Sequence, residues 1–422
     1  MNRALLLVVL VGCAGWRAEP VAEQKGVERL DVSVAMTAPP DAGAPDRPAT
    51  FAEDRAFLEA HGKTIVLGAG GAEGGQILIS PTYQGRVMTS AVGADARSLG
   101  WVHRKFIASG KTGTGFDNYG GEDRFWLGPE AGQFGLYFAP GDFFSFDKWQ
   151  TPHELQEGAW DVAEQTADHV VLRRDLKVTN WSKTELSVAV ERTARLLGRA
   201  ETDKLLGVPT AGVAFVAYET KNVIKNSGPT AWKKESGLLS IWVLGQFAPN
   251  DDGKVIIPFD KSGTSPVVND RYFGKIAPER LHVDASRGVL TFVADGKERG
   301  KLGLAPNRAK SVIGSYSVEA GTLTLVTYDG PQKGAPYVDS MWEIQKTPYS
   351  GDVINAYNDG PTAPGQPALG GFYEIETSSS AAALAPGKTA SHTHRTFHFT
   401  GPREALDVIA KKVLGIGLTE LP

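Results

Sequence analysis

Residues 169–197 read HVVLRRDLKVTNWSKTELSVAVERTARLL, and their pattern indicates the fold class. Two long runs that are typical of β-strands, 169–178 and 185–197, flank a turn at 180–183. The pattern predicts a hairpin of two long strands. Because strands joined in this way run in opposite directions, the hairpin favours an antiparallel sheet.

Similar strand signals continue on both sides of this hairpin. They predict strands at 76–80, 85–90, 288–293, 312–317, 321–328 and 341–346, and a second pair at 212–224 and 237–247. Helical signals predict a short N-terminal helix at 51–61 and a C-terminal helix at 402–414. The predicted fold class is therefore all-β, one large antiparallel β-sandwich domain over residues 51–422 with these two helices.

Composition limits both the class of protein and its partners. The chain has 422 residues, of which 41% are hydrophobic and 22% are charged, and these values exclude a mostly disordered chain. Its 44 lysines and arginines are balanced by 48 aspartates and glutamates, which gives a net charge of −4. Because there is no basic excess, we expect no nucleic-acid partner.

The N-terminus has the features of an export signal. Arg3 precedes an apolar run at 4–11, which is far shorter than the roughly 20 residues that a membrane-spanning helix needs. Residues 10–13, LVGC, resemble the lipobox of bacterial lipoproteins, and Cys13 is the only cysteine of the chain. The lone cysteine lies where a lipobox requires one.

The lipobox resemblance implies a signal peptide at 1–12, a lipidated Cys13 and a linker over 13–50 that holds the domain away from a membrane. Ala14 is not the aspartate that retains many lipoproteins at the inner membrane. The expected location is therefore the bacterial cell envelope, with a lipid anchor in the outer membrane. The alternative is a plain secretory signal in which Cys13 is merely near the cleavage site.

Two segments near the C-terminus carry most of the candidate chemistry. Strand alternation places Glu374 and Glu376 on one face of their strand, and His392, His394 and His398 on one face of theirs. If the two faces converge, a Glu–His pair could transfer protons near neutral pH. Two histidines and a carboxylate could instead hold a divalent metal. The alternative is a polar strand face turned to solvent.

The block at 352–361 leads from a strand into a turn rich in Asn and Asp. Asn355, Asn358 and Asp359 could exchange hydrogen bonds with sugar hydroxyls while Tyr357 stacks on a ring. The alternative is that Asn358-Asp359-Gly360 simply forms a good turn.

A third block, GGEDRFWLGPE at 120–130, begins with two glycines that allow the backbone to approach a ligand closely. Arg124, Trp126 and Glu130 suit a polar pocket with an aromatic wall. The alternative is a turn that enters a buried strand, with Arg124 in a structural ion pair. The aromatic run over 134–149 favours packing over a sugar platform.

Segments 120–130, 355–361 and 372–399 resemble an uncharacterised bacterial branch of the galactose-mutarotase-like superfamily. The resemblance implies a β-supersandwich with a sugar-binding concave face. By position, Glu376 matches the glutamate that serves as the base in aldose mutarotases. The region that would hold their acid histidine, 222–247, contains no histidine.

Three functions remain open from the sequence. The first is a carbohydrate-binding protein that also processes its ligand in an aldose-epimerase-like, hydrolytic or elimination reaction, with Glu376 as base and His392 or His394 as acid. The second is a non-catalytic glycan-binding module. The third is a metal-dependent enzyme that uses both histidines with Glu374 or Glu376; the other two need no cofactor. The candidate substrate-binding residues are Arg124, Glu130, Trp126, Asn355, Tyr357, Asn358, Asp359, Glu374 and Arg395.

Overall fold

The computed structural model describes residues 48–68, 75–113 and 115–422. The predicted signal peptide, Cys13 and the linker up to residue 47 lie outside the described residues. Within the described part of the chain, no helix is long and apolar enough to cross a bilayer.

The described residues form short helices and many strands. The helices are α1 Phe51–Glu59, α2 Arg104–Ser109, α3 His153–Gln156, α4 Arg199–Leu206 and α5 Arg403–Leu414, with one 3₁₀ turn at Phe146–Lys148. The strands are β1 Ile65–Leu67, β2 Gln76–Ser80, β3 Arg86–Ala91, β4 Arg124–Gly128, β5 Asp161–Gln165, β6 His169–Thr179, β7 Glu185–Leu196, β8 Ala214–Asn226, β9 Ser240–Phe247, β10 Lys254–Pro258, β11 Leu281–Asp284, β12 Val289–Val293, β13 Gly300–Leu304, β14 Val312–Ser317, β15 Thr322–Tyr328, β16 Ile354–Asn358, β17 Tyr373–Ser378 and β18 Thr389–Thr400.

The strands form a ten-stranded sheet, a five-stranded sheet and a small three-stranded sheet. The large sheet has the order β11-β12-β10-β14-β15-β18-β8-β7-β6-β5, and the five-stranded sheet has the order β13-β16-β17-β9-β4. Apolar side chains from both sheets share two buried clusters, so the sheets pack face to face. The predicted all-β sandwich is confirmed.

The hairpin at 169–197 forms as predicted. Strands β6 and β7 pair from His169 opposite Arg195 to Thr179 opposite Glu185. Their turn is closed by the Asn180 side chain, whose Oδ1 accepts from the Thr184 backbone N–H at 2.9 Å. One face of the hairpin is buried at alternate positions, which is why the polar and apolar residues alternate along both strands.

Both predicted helices are present. A capping box joins Thr50 and Glu53 at the start of α1, and this helix ends at Glu59, two residues before the predicted end. Gly415 adopts a left-handed conformation just past α5 and ends that helix. The apolar stripe of α5 packs on the outer face of the ten-stranded sheet, against Phe397 and Phe399.

Two strand predictions are wrong. Strands β8 and β9 are not paired, because β8 joins β7 and β18 in the ten-stranded sheet while β9 lies between β17 and β4 in the five-stranded sheet. Residues 341–346 form no strand. The Gln345 side chain there is buried and donates a hydrogen bond to the carbonyl oxygen of Met341. This side-chain hydrogen bond stands where a strand would have paired its backbone with a neighbouring strand.

Candidate functional site

The five-stranded sheet carries a row of charged and aromatic side chains on the face that points away from the ten-stranded sheet. Register sets this row: Tyr357 lies opposite both Lys301 and Glu374, and Arg124 lies opposite Leu244. Ile375, which lies between Glu374 and Glu376 in β17, points the other way, into the core. Strand alternation therefore explains why these polar residues share a face.

An open cavity of about 480 Å³ lies over this face. We call it the sheet cavity. Loops that flank the strands supply its walls. Its lining residues are Phe116, Arg124, Trp126, Glu130, Phe146, Trp149, Trp242, Leu244, Phe273, Arg299, Lys301, Trp342, Tyr357, Leu369, Phe372 and Glu374. Of the predicted substrate-binding residues, Arg124, Trp126, Glu130, Tyr357 and Glu374 line this cavity.

Arg124 and Glu374 form a buried ion pair, with Arg124 Nη2 2.6 Å from Glu374 Oε1. The guanidinium also lies 4.2 Å from the ring centroid of Trp126. Its Nε and Nη1 atoms are buried and have no hydrogen-bond partner among the described residues. Burial raises the pKa of Glu374 to about 7, although the charge of Arg124 opposes that shift.

Lys301 and Glu376 form a second buried pair, with Lys301 Nζ 3.1 Å from Glu376 Oε1. The indole N–H of Trp242 donates to Glu376 Oε2 at 2.9 Å. Glu376 is fully buried and does not line the sheet cavity. The ammonium and the indole therefore lie against the carboxylate that the sequence predicted as a base.

Glu130 is the third carboxylate of the site. Its Oε1 accepts from the indole N–H of Trp149 at 3.0 Å, and its Oε2 lies 4.0 Å from Lys301 Nζ. Burial raises the pKa of Glu130, and the charge of Lys301 acts against this shift. Burial alone would lower the pKa of Lys301, but the nearby carboxylates of Glu376, Glu130 and Glu374 raise it. The lysine is therefore a cation that orients carboxylates.

Arg299 lies at another wall of the cavity. Its guanidinium stacks on Phe273, 3.7 Å from the ring centroid, and its Nε is 3.3 Å from the Tyr357 hydroxyl. That hydroxyl in turn donates to Asp359 Oδ1 at 3.0 Å. Tyr357 therefore lies at the cavity wall between Arg299 and Asp359.

The side chains of Asp359 and Asn358 form hydrogen bonds with the backbone of neighbouring loops and do not line the cavity. Asp359 accepts the backbone N–H groups of Gly370 and Gly371 at 2.9 and 2.8 Å. Asn358 Nδ2 donates to the carbonyl oxygen of Glu298 at 2.8 Å. The polar atoms of both residues are already engaged by loop backbone, so neither is placed to bind a sugar in the cavity. The turn given as the alternative does not form at 358–360 either, since Asn358 is the last residue of β16.

His392 and His394 lie on the opposite side of the five-stranded sheet from Glu376. Thr377 Oγ1 is 2.8 Å from His392 Nε2 and 2.9 Å from His394 Nδ1. Since Thr377 follows Glu376 in the strand, their side chains point to opposite faces. The prediction that these carboxylates and imidazoles converge is wrong, and so is the assignment of either histidine as the acid.

Burial also disfavours charge on these histidines. It lowers the pKa of His392 to about 3 and that of His394 to about 4, so both imidazoles are neutral near pH 7. The predicted metal set of His392, His394 and Glu376 does not form. Among the described residues, no group of three or more His, Cys, Asp or Glu is placed to hold a metal ion.

Two more predicted ligand residues lie away from the cavity. Arg395 Nε is 2.6 Å from Glu219 Oε2, on the face of β18 opposite to the three histidines. Asn355 shares the face of Glu376, but its Nδ2 donates to the carbonyl oxygen of Leu302 at 3.2 Å. It lines a smaller neighbouring pocket with Lys301.

Sequence reasoning missed several lining residues. Lys301, Arg299, Phe273 and Trp342 carry no motif. In the sequence each of them is only a single charged or aromatic residue within a strand or loop segment, and nothing there marks it as part of a site. Within the aromatic run at 134–149, Phe146 and Trp149 line the cavity, whereas others, such as Tyr137, are core.

The fold and the site define an all-β sandwich protein with an aromatic-walled, charged cavity over its five-stranded sheet. The chain belongs to a family of unknown function (DUF6786), whose model matches residues 49–422. No curated protein matches the chain.

Solved structures with low sequence identity are similar to the chain. A putative aldose 1-epimerase from Escherichia coli K12 is 10% identical, with a TM-score of 0.48 over 80% of this chain and 98% of that one. The Slr1438 protein from Synechocystis sp. PCC 6803 is 11% identical, with a TM-score of 0.46 over 85% and 98%. A galactose mutarotase-like protein from Lactobacillus casei ATCC 334 is 11% identical, with a TM-score of 0.43 over 80% and 100%.

Proposed function

We propose that the sheet cavity binds a carbohydrate. The observation that carries this proposal is Arg124, a buried arginine that lines the cavity with two unpartnered nitrogen atoms. Buried donors without partners are costly, and a ligand oxygen in the cavity would satisfy them.

The walls of the cavity suit a sugar ring. Trp126, Trp149, Trp242, Phe273 and Phe372 present aromatic surfaces around charged hydrogen-bonding groups. A sugar combines apolar C–H faces with many hydroxyls, so it needs flat apolar walls together with a few placed polar groups.

Titration calorimetry with a panel of mono- and oligosaccharides tests this proposal. The variant Arg124→Lys keeps a cation beside Glu374 but removes the planar set of N–H donors. We expect the variant to bind at least about tenfold more weakly, the equivalent of about 1.4 kcal/mol. Arg173→Lys, at an exposed position, is the matched control. Equal binding by Arg124→Lys and wild type, or no binding to any sugar, would contradict the proposal.

A second candidate function is acid–base catalysis on the bound sugar, with Glu374 in place of Glu376. The observation that favours it is a lining carboxylate whose pKa lies at about 7, the range in which a group can both give and accept a proton. Anomeric interconversion, hydrolysis and elimination all need such a group. Loss of turnover in Glu374→Gln with binding retained would support catalysis. Binding without turnover of any sugar by the wild-type protein would leave a glycan-binding module.

The proposed location is the bacterial cell envelope, with a lipid anchor at Cys13 in the outer membrane. Support comes from the lipobox-like residues 10–13 and the single cysteine. Mass spectrometry of the mature N-terminus tests this, because a diacylglyceryl group on Cys13 is expected. A free Cys13 thiol would contradict it, and Cys13→Ala should release the protein from membranes.

A further inference from the structure

We propose that the sugar bound in the sheet cavity is acidic, a uronate whose carboxylate binds the guanidinium of Arg299. This inference rests on the proposed function, since it names the substrate class of the same cavity. It is carried by the position of Arg299, by the hydrogen bonds that this residue leaves open and by the charges around it.

Arg299 is held in place by aromatic rings and a hydroxyl. The guanidinium lies 3.7 Å from the ring centroid of Phe273 and 5.3 Å from that of Phe146. Its Nε is 3.3 Å from the hydroxyl of Tyr357. A guanidinium that is stacked on rings loses little freedom when it binds a planar carboxylate.

The other two cations of the cavity are already paired, and Arg299 is not. Arg124 is 2.6 Å from Glu374, and Lys301 is 3.1 Å from Glu376. Among the described residues, no carboxylate lies within 4.0 Å of the Arg299 nitrogens. Its two Nη atoms donate to no described residue, so four N–H groups of a forked donor remain available.

The balance of charge in the cavity also favours an anionic ligand. The lining contains three cations, Arg124, Arg299 and Lys301, and two carboxylates, Glu130 and Glu374. Burial raises the pKa of both carboxylates. At a pKa of about 7, Glu374 is only partly ionised near neutral pH. Glu376, behind Lys301, offsets one of the cations. Counting Glu376, the three carboxylates equal the three cations, and one cation is in excess only where Glu374 is protonated. An acidic group on the ligand would offset that charge.

The position of Arg299 suits a substituent at the edge of a sugar ring. Phe146, which stacks on Arg299, is 40% exposed, so this wall lies near the mouth of the cavity. Arg124 is 1% exposed and lies deep. A sugar ring between them would offer hydroxyls to Arg124 and its carboxylate to Arg299. A carboxylate and a guanidinium make two parallel hydrogen bonds when they meet edge to edge.

Titration calorimetry with matched sugar pairs tests the inference. The probes are D-galacturonate with D-galactose, D-glucuronate with D-glucose, D-mannuronate with D-mannose, and D-galactose 6-phosphate. We expect at least one uronate to bind about tenfold or more tightly than its neutral partner, because a charge-assisted pair is strong. Arg299→Gln should remove this preference, so that the ratio of uronate affinity to neutral-sugar affinity falls to about one. Arg299→Lys should restore part of it.

The affinity for the neutral sugar shows whether Arg299 has only a structural role. If Arg299→Gln weakens the neutral sugar and the uronate alike, the residue only supports Tyr357 and the inference is wrong. Lys297→Gln is the control, since Lys297 is exposed and pairs with Asp251 at 2.9 Å. Equal binding of neutral and acidic sugars would overturn the inference and leave the proposed function standing. Tighter binding of the phosphate than of any uronate would overturn the carboxylate assignment. No binding by any probe would contradict both proposals.

Discussion

Lys301 Nζ lies 3.1 Å from Glu376 Oε1, and both side chains are buried beneath the sheet cavity. The two residues come from strands that are not neighbours, since β16 lies between β13 and β17. The pair therefore crosses one strand of the sheet. Because Glu376 does not line the cavity while Lys301 does, we assign Glu376 to orienting Lys301 and not to contact with a ligand.

Breaking this pair should destabilise the fold. Lys301→Met leaves the Glu376 carboxylate buried without its cation, and such a change costs about 3–5 kcal/mol. The double variant Lys301→Met with Glu376→Gln removes both charges and should recover a large part of that loss. Urea denaturation measures each free energy of unfolding. The exposed pair of Lys177 and Glu185 is the control, and Lys177→Met should cost less than about 1 kcal/mol.

Removing one aromatic wall of the cavity should weaken sugar binding. Phe146 lines the cavity and is 40% exposed, so Phe146→Ala should lower affinity about three- to tenfold through lost stacking. Phe143, three residues earlier, is 86% exposed and does not line the cavity, so Phe143→Ala should leave affinity unchanged. Calorimetry with the best-binding sugar measures both. The same loss in both variants would argue against stacking at Phe146.

The buried histidines should limit stability in acid. His392 and His394 have folded-state pKa values of about 3 and 4, below the ordinary value of 6.5, so the unfolded chain binds more protons between these values. Stability should therefore fall as the pH falls from 6.5 toward 4, by up to about 1.4 kcal/mol per pH unit for each histidine. The variant His392→Gln should flatten this dependence in urea unfolding at several pH values. His282→Gln, at an exposed site, should not change it.

The carboxylate of Asp359 should hold one wall of the cavity. It accepts the N–H groups of Leu369, Gly370 and Gly371, and Leu369 lines the cavity. Asp359→Asn weakens these acceptors, so hydrogen exchange over 362–371 should become faster. Asp251→Asn, in an exposed ion pair, is the control. Unchanged exchange in Asp359→Asn would show that other contacts fix this loop.

Local sequence patterns predicted the directions of side chains but not their surroundings. Alternation correctly placed Glu374 with Glu376, and His392 with His394, on shared strand faces. It could not say which sheet each strand would join, because that depends on pairing with distant partners. Strand β17 pairs with β9 and β16, whereas β18 pairs with β8 and β15. The two carboxylates therefore lie on one side of the five-stranded sheet, and the two histidines lie on the other.

The same limit explains the missed residues. Lys301 and Glu376 are 75 positions apart in the sequence, and no residue near either of them in the sequence predicts that the two side chains meet. Arg299 likewise depends on Phe146 and Phe273, which approach it through loops. By contrast, Arg124 and Trp126 were predictable, since they lie two apart on one short strand beside the two glycines at 120–121.

A crystal structure of the protein with the tightest-binding sugar of the panel would show whether the sheet cavity is the binding site. We predict electron density for one sugar ring in the sheet cavity, with an oxygen within hydrogen-bond distance of Arg124 Nε or Nη1 and a ring face on an aromatic wall. Density for the sugar elsewhere on the chain, with the sheet cavity holding only water, would contradict the account.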